Sequence, residues 1–365
     1  MSVKGWCPGA WRPMMSGDGL IVRIRPRLAS LTSDQALGLC TLSQTHGNGI
    51  IDLTSRANLQ MRGVREDQHE DLLKALYGLN LIDAAAEDEA RRNITVTPLW
   101  QDGDLTTRLH ANLLSALPQM PKLPAKVGIA VDTGANPILS DTPADFRFER
   151  SATGDIILRA DGASKGKCIH EADAPDALID LANWFTATNG QTAGRMAKHL
   201  KTTALPAHWK DTAPAPTADR LHPDGTTYGA PFGSIDAAAL TALIQDSQAT
   251  ALRVTPWRLF TLENAYPCTP HGFITDPADP LLHTHACPGA PACAAATVDT
   301  RTLARKIAKP GLHISGCSKG CAHPRPAPTT LVGNNGAFDL VENGHPWDAP
   351  RQRGLTPAQI LTPAS

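Results

Sequence analysis

Net charge is almost absent from this 365-residue chain, in which 34 lysines and arginines face 35 aspartates and glutamates. Such a balance gives no grip on nucleic acid or an anionic membrane surface. Also missing is any apolar run of membrane-spanning length, and the N-terminus lacks the basic head and apolar core of a leader. The expectation is a cytoplasmic protein with no membrane and no nucleic-acid partner. A disulfide framework is not expected on the same ground: eight cysteines spread over 365 residues without a leader suggest a reducing compartment, where thiols stay free. Lysine is scarce in the first hundred residues, with only Lys4 and Lys74 against nine arginines. Arginine is the side chain for bidentate carboxylate recognition; the plain alternative is a set of solvated surface arginines.

Tight C-x2-C knuckles, the usual mark of structural zinc, are absent too. Four thiols come instead as C-x5-C and C-x3-C pairs, Cys287 with Cys293 and Cys317 with Cys321, on loops rich in glycine and proline. A [4Fe–4S] cube needs four thiolates at its corners and close backbone amides, which small residues such as Gly289, Gly316 and Gly320 permit. The spacing favours the cube, with zinc and unrelated buried thiols as the alternatives. Cys7, Cys40, Cys168 and Cys268 have no partner spacing and read as unreactive, Cys40 at a core position of a helix.

In chain order, Leu20 to Arg27 alternates, with Leu20, Val22 and Ile24 on one face and Arg23, Arg25 and Arg27 on the other, which predicts a half-buried strand. A helix capped by Thr32 or Ser33 follows, then strands at 50–54 and 58–62, the latter placing Asn58, Gln60 and Arg62 on one face, and a second amphipathic helix through Leu72, Leu73, Leu76 and Leu79. From about 95 to 210 the pattern becomes a larger α/β region, with a strand at 123–132 and helices at 177–188 and 191–201. The run 211–226 is rich in Pro, Ala and Thr and reads as a linker. The first unit then recurs: a helix through Leu240, Leu243 and Ile244 leads to a strand at 251–260 carrying Arg253 and Arg258. A repeat of this kind implies a pseudo-twofold body with its ligand between the halves.

The four cysteines, in the run Gly-Cys-x-x-Gly-Cys-Ala-His-Pro, and the segment Thr54-Ser55-Arg56-Ala57-Asn58-Leu59-Gln60-Met61-Arg62-Gly63 resemble the signatures of the sulfite and nitrite reductase superfamily. The resemblance implies an α+β fold with two ferredoxin-like half-domains (1–90 and 227–275), two larger α/β domains (91–212 and 276–365) and a linker at 213–226, the C-terminal domain carrying the cluster. It implies that Arg56 and Arg62 reach the tetrapyrrole or substrate. Arg92, in the Arg91-Arg92-Asn93 motif, joins them. Lys126 falls on the first of two family lysines that hold an inorganic anion, but Gly128 stands on the second. With Arg23, Arg25, Gln60 and Arg258, these make the candidate set for tetrapyrrole carboxylates.

The missing lysine, Lys319 inside the last cysteine pair, and the short stretch after Cys321 favour a macrocycle as substrate over a sirohaem cofactor. Cys7-Pro8-Gly9, Gly17-Asp18-Gly19-Leu20, His46-Gly47-Asn48-Gly49 and Thr330-Leu331-Val332-Gly333 resemble the superfamily's branch in aerobic cobalamin biosynthesis. That resemblance implies a monooxygenase acting on precorrin-3A and O2, with electrons from NADH by way of a reductase or ferredoxin, and a mononuclear non-haem iron. His46, Asp52, His283, His285 and His323 are candidate iron ligands, none at a diagnostic spacing. The alternatives are a sirohaem-dependent sulfite or nitrite reductase, and a sirohaem-free electron-transfer or regulatory protein that keeps the fold.

Overall fold

A computed structural model describes residues 8–362; Cys7 lies outside them. The first hundred residues give β1 (Met14–Met15), β2 (Leu20–Ile24), β3 (Ser30–Thr32), α1 (Ser33–His46), β4 (Ile50–Leu53), β5 (Leu59–Val64), α2 (His69–Gly78), α3 (Ala86–Arg91) and β6 (Ile94–Val96). Helix α1 begins where the sequence places it. Thr32 accepts from the Gln35 amide at 3.2 Å and the Gln35 side chain accepts from the Thr32 amide at 3.0 Å, a reciprocal cap that satisfies two otherwise orphaned donors.

The middle region adds α4 (Leu105–Ala116), β7 (Ile129–Asp132), β8 (Phe146–Arg150), β9 (Ile156–Ala160), β10 (Lys167–Ile169), α5 (Ala174–Ala187), α6 (Gly190–Ala193) and α7 (Met196–His199). The expected strand at 123–132 starts only at Ile129. The expected helix at 191–201 is two short turns, because Gly194 takes φ +75° between them, a conformation that ends a helix.

The recurrence at 227–263 holds in detail: β11 (Thr227–Gly229), β12 (Ser234–Asp236), α8 (Ala237–Ser247), β13 (Ala251–Val254) and β14 (Leu259–Glu263) repeat the order of β2, β3, α1, β4 and β5. The single strand expected at 251–260 is broken by a turn at Pro256 and Trp257. The copies exchange strands: Leu31 of β3 pairs with Leu252 of β13, while Ile235 of β12 pairs with Ile51 of β4. One core, including Leu39, Ile51, Leu76, Leu243 and Phe260, therefore runs through both halves. Burying one continuous apolar face is what welds the copies into a pseudo-twofold body.

The C-terminal region holds β15 (His285–Ala286), α9 (Arg301–Ile307), β16 (Leu312–Ser315), β17 (Ala327–Asn334), β18 (Ala337–Gly344), β19 (Gln352–Leu355) and α10 (Pro357–Leu361), its five strands forming one sheet in chain order. Separate cores sit under this sheet and under the middle sheet. The run 211–226 has no helix or strand but is not free: it lies against the middle sheet through bridges at Thr212 and Pro214. Among the described residues no helix is long and apolar enough to cross a membrane.

Candidate functional site

A cleft of about 900 Å³ opens where the shared core, the middle unit and the C-terminal sheet meet, at the upper end of the size range for small-molecule sites. Of the residues expected at a site, Arg23, Gln60, Arg62, Arg258, Cys287 and Cys321 line it, together with Asp52, His283, His285 and His323.

The turns that aim these groups are matched across the repeat. Thr54 Oγ1 accepts from the amides of Arg56 (3.3 Å) and Asn58 (3.1 Å), and Thr255 Oγ1 accepts from the amide of Trp257 (3.3 Å). Each turn then places one non-glycine residue in the left-handed region, Ala57 at φ +52° and Arg258 at φ +65°. Such a conformation persists only where its surroundings hold it. Arg258 thus matches Ala57, and Arg56 matches Trp257, so Arg56 and Arg258 are not equivalent arginines of the two copies. Arg258 donates to the Thr284 carbonyl (3.0 Å), to His285 Nδ1 (2.7 Å) and to the Ala322 carbonyl (3.3 Å). No carboxylate pairs with it among the described residues, and burial, then the charge of Arg301, lowers its pKa to about 10.

Other arginines are committed elsewhere. Strand β2 ends at Ile24, so the alternation breaks and Arg25 turns inward rather than onto the cleft. There Arg25 and Arg92 share the Glu89 carboxylate at 3.0 and 2.8 Å, and Arg92 also binds Asp83 at 2.7 Å. Both are removed from the cleft. Arg56 donates to the Lys126 carbonyl at 2.7 Å, bracing the middle unit, and neither Arg56 nor the exposed Lys126 lines the cleft. Gly128 also faces the body: its N–H donates to Asp145 at 3.0 Å, and a Cβ there would stand 2.9 Å from Asn93 Nδ2. Arg23 donates to Gln60 Oε1 at 2.8 Å, so strands β2 and β5 present one polar unit.

Arg62 lines the cleft but is nearly spent. It binds Asp18 at 3.2 Å, approaches Asp52 at 3.6 Å and donates to the Ala292 carbonyl at 2.9 Å. Ala292 belongs to the loop between Cys287 and Cys293, so Arg62 ties the first half-domain to that loop. The glycine-rich turn before β2 does the same: Gly17 N–H donates to the Ala292 carbonyl, and a Cβ on Gly17 would meet the Pro291 carbonyl oxygen at 2.5 Å. Sequence reading missed Arg220, Arg301 and Arg325, which also line the cleft. Arg301 pairs with Asp52 at 2.9 Å and donates to Ser234 at 2.9 Å. Of the three, only Arg325, close behind Cys321, sits beside a motif that points to it.

The four thiols converge. Cys321 is raised in pKa by burial and then by the nearness of Cys287, Cys317 and Cys293, which is the like-charge signature of gathered thiolates. Gly316 N–H donates to Cys287 Sγ at 3.1 Å, and Gly289 and Gly320 take φ +70° and +63°, as a backbone drawn close to sulfur requires. Among the described residues no three His, Cys, Asp or Glu side chains close on a point fit for one metal ion. A cube tolerates that, since its thiolates bind four separate irons. A mononuclear iron does not, and Asp52 is already taken by Arg301 and Arg62 while His285 Nδ1 is taken by Arg258. His46 does not line the cleft. The residues present therefore do not fit a separate mononuclear iron.

A stack of histidines lies beside the cysteines: His285 on His323 at 4.1 Å between ring centres, and His323 edge-on to His313 at 5.7 Å. Because a guanidinium only donates, His285 Nδ1 is the acceptor and its proton sits on Nε2. Burial and then the Arg258 charge press its pKa far down, so the ring is neutral.

A fold, a half-domain and a cysteine quartet of this kind define a class. The sequence pattern of the nitrite/sulfite reductase ferredoxin-like half-domain matches residues 12–79. The solved NirA protein of Mycobacterium tuberculosis has a similar fold, with a TM-score of 0.65 at 14% identity over 94% of this chain and 79% of that one. The chain thus shares its overall fold with that protein and carries a match to the reductase half-domain in its first eighty residues. A precorrin-3B synthase of Sinorhizobium is 29% identical over 93% of this chain and 83% of that protein. A ferredoxin–nitrite reductase of Synechococcus elongatus is also 29% identical, but over 39% of this chain and 30% of its own length.

Proposed function

We propose that this chain is a precorrin-3B synthase, an oxidoreductase of cobalamin biosynthesis. It hydroxylates precorrin-3A at the meso carbon between rings A and D and closes a γ-lactone from the ring A acetate. The observation that carries this reading is the set of unspent donors in the cleft wall. Among the described residues Arg258 and Arg325 line the cleft without a carboxylate partner, and no lysine lines it. A guanidinium on a cleft wall without a counter-charge invites an anionic partner. A ligand rich in carboxylates satisfies guanidinium groups spread over several walls, whereas a three- or four-atom anion meets one of them.

The chain's own residues bind, orient and exclude water. Arg258 and Arg301 receive carboxylates of the ligand, with Arg301 held in aim by Asp52 and Ser234. Arg23 and Gln60 present a further donor surface on the strands opposite. His285 offers a neutral Nε2–H, a donor that does not exchange its proton for a charge near the thiols. Cys287, Cys293, Cys317 and Cys321 hold a [4Fe–4S] cluster, which supplies single electrons when bound. Two electrons from NADH, arriving through a reductase or ferredoxin, balance the reaction: one oxygen atom of O2 enters the product and the other leaves as water.

The test is an absorption spectrum with iron and sulfide analysis of protein purified without oxygen, followed by turnover of precorrin-3A under 18O2. Broad cluster absorbance without macrocycle bands, and one labelled oxygen in the product, support the proposal. Tightly bound sirohaem, together with reduction of sulfite or nitrite and no conversion of precorrin-3A, overturns it.

A further inference from the structure

The rim of the cleft carries a cationic pair distinct from the arginines of its floor. Arg220 comes from the irregular run 211–226, which is pinned along the middle unit. Ala215 N–H donates to the Arg150 carbonyl at 2.7 Å, Ala218 N–H to the Pro137 carbonyl at 2.9 Å, and Asn136 Nδ2 to the Pro216 carbonyl at 2.8 Å. Those bonds set the half-exposed Arg220 guanidinium against the Asp141 carboxylate. Arg325 approaches from the C-terminal unit, just after the last cysteine; it is exposed and has no ion pair among the described residues. Both line the cleft. Burial and then the charge of Arg325 lower the pKa of Arg220, so the two cations sense each other across the opening. With one carboxylate between two guanidinium groups, positive charge at the mouth is left unmet.

We propose that Arg220 and Arg325 form a clamp at the cleft mouth that grips one peripheral carboxylate of a macrocyclic ligand, shared between the two guanidinium forks. The clamp rests on the polycarboxylate reading of the cleft and adds to it two binding residues from different units of the fold. Shared capture of one carboxylate ties the middle unit to the C-terminal unit over the bound ligand. Planar, bidentate donors suit that task better than point charges. The clamp also favours large anions, because a small one seated deep beside the cysteines leaves the rim unengaged.

The test is equilibrium dialysis of the full-length protein, purified without oxygen, against uroporphyrin III, which carries eight carboxylates, and against its octamethyl ester. R220Q, R325Q and the double variant are compared with wild type. Both positions are solvent-accessible, so unfolding is not expected, and R220K keeps the charge while losing the fork. Each glutamine variant should weaken uroporphyrin binding about tenfold or more, R220K should lie between, and ester binding should be equal in all. The double variant should lose less than the product of the single effects, because the two groups hold one carboxylate. Wild-type affinity in both single variants removes the clamp. Losses that simply multiply put the arginines on different carboxylates and overturn the sharing. A wild type that binds acid and ester alike refutes the polycarboxylate reading itself, a result distinct from failure of the clamp.

Discussion

Replacing Arg258 by glutamine separates a ligand-binding arginine from a structural one. In the ligand-free protein its guanidinium titrates at about 10 instead of 12.5. At 1.36 kcal/mol per unit the charged form is disfavoured by about 3 kcal/mol, an upper bound because the cleft admits water to one side of the group. Against this stand three donated hydrogen bonds, to the carbonyls of Thr284 and Ala322 and to His285 Nδ1, each contributing about 0.5–1.5 kcal/mol. The terms nearly cancel. Arg258→Gln, whose amide keeps some of those bonds, should therefore alter the unfolding free energy by no more than about 1 kcal/mol. Binding should respond differently, since a charged hydrogen bond to a ligand carboxylate contributes about 1.5–3 kcal/mol, a loss of tenfold or more in affinity. Urea unfolding with and without uroporphyrin III reads both quantities. At a ligand concentration 100 times the wild-type Kd, wild type gains about 2.7 kcal/mol and a variant tenfold weaker about 1.4 kcal/mol. A variant destabilised by more than about 3 kcal/mol that still gains as much from the probe as wild type would show that Arg258 serves the fold alone.

Three further outcomes test the rest of the site. Cys321→Ser should abolish cluster absorbance and conversion of precorrin-3A together; full turnover without the absorbance would refute the electron path. Gly17→Ala should lower iron and sulfide content per chain, because its Cβ would stand 2.5 Å from the Pro291 carbonyl oxygen and 2.7 Å from the Ala294 amide, pushing the cysteine loop away. Iron content equal to wild type would show that the turn does not shape the cluster site. His110, buried on α4, has its pKa lowered to about 4 by burial and then by Arg92 and Arg27. The unfolded chain takes up the proton first as pH falls from about 6.5, so stability declines between about 6.5 and 4, by up to about 3 kcal/mol, and is flat below. His110→Gln should remove that part of the decline in urea midpoints measured at pH 7 and 4.5, and a slope equal to wild type would remove His110 as its source.

Local rules made much of the half-domain legible. The Thr32 cap, the alternation of Leu20, Val22 and Ile24 and the apolar stripe of α2 each depend on neighbours within one or two turns of chain. The cysteine quartet was legible for a similar reason, since each pair lies on one loop. Arg25 misled because what disposes of it is remote, whereas Arg92 misled beside near partners, Glu89 three and Asp83 nine residues away. Glu89 lies 64 residues from Arg25, and no local pattern says that β2 stops at Ile24. The strand exchange was hidden for the same reason: β3 and β12 look in sequence like members of their own halves, and only their pairing with β13 and β4 shows otherwise. Arg220 is the extreme case. Composition reads its surroundings as a linker, whereas backbone bonds to Pro137 and Arg150 make that run a wall of the cleft.

The repeat also explains why the two matched turns serve different ends. Each needs a threonine whose hydroxyl accepts from the amides beyond it and one residue in the left-handed region, so backbone geometry is shared while side chains are free to differ. In the first copy the left-handed position holds Ala57, and the long side chain falls one place earlier, at Arg56, which reaches the Lys126 carbonyl and fastens the middle unit. In the second copy the left-handed position holds Arg258, and the preceding place holds Trp257, whose ring lines the cleft. A shift of one residue turns the guanidinium from a brace between units into a donor on the cleft wall. Duplication supplied two equivalent frames, and this offset leaves Arg258 in the cleft and Arg56 outside it. Moving the arginine back, as in Trp257→Arg with Arg258→Ala, should abolish the difference in affinity between uroporphyrin and its ester that depends on position 258, even though the sum of charges is unchanged. Retained discrimination would mean that the cleft senses net charge and not the place of one guanidinium.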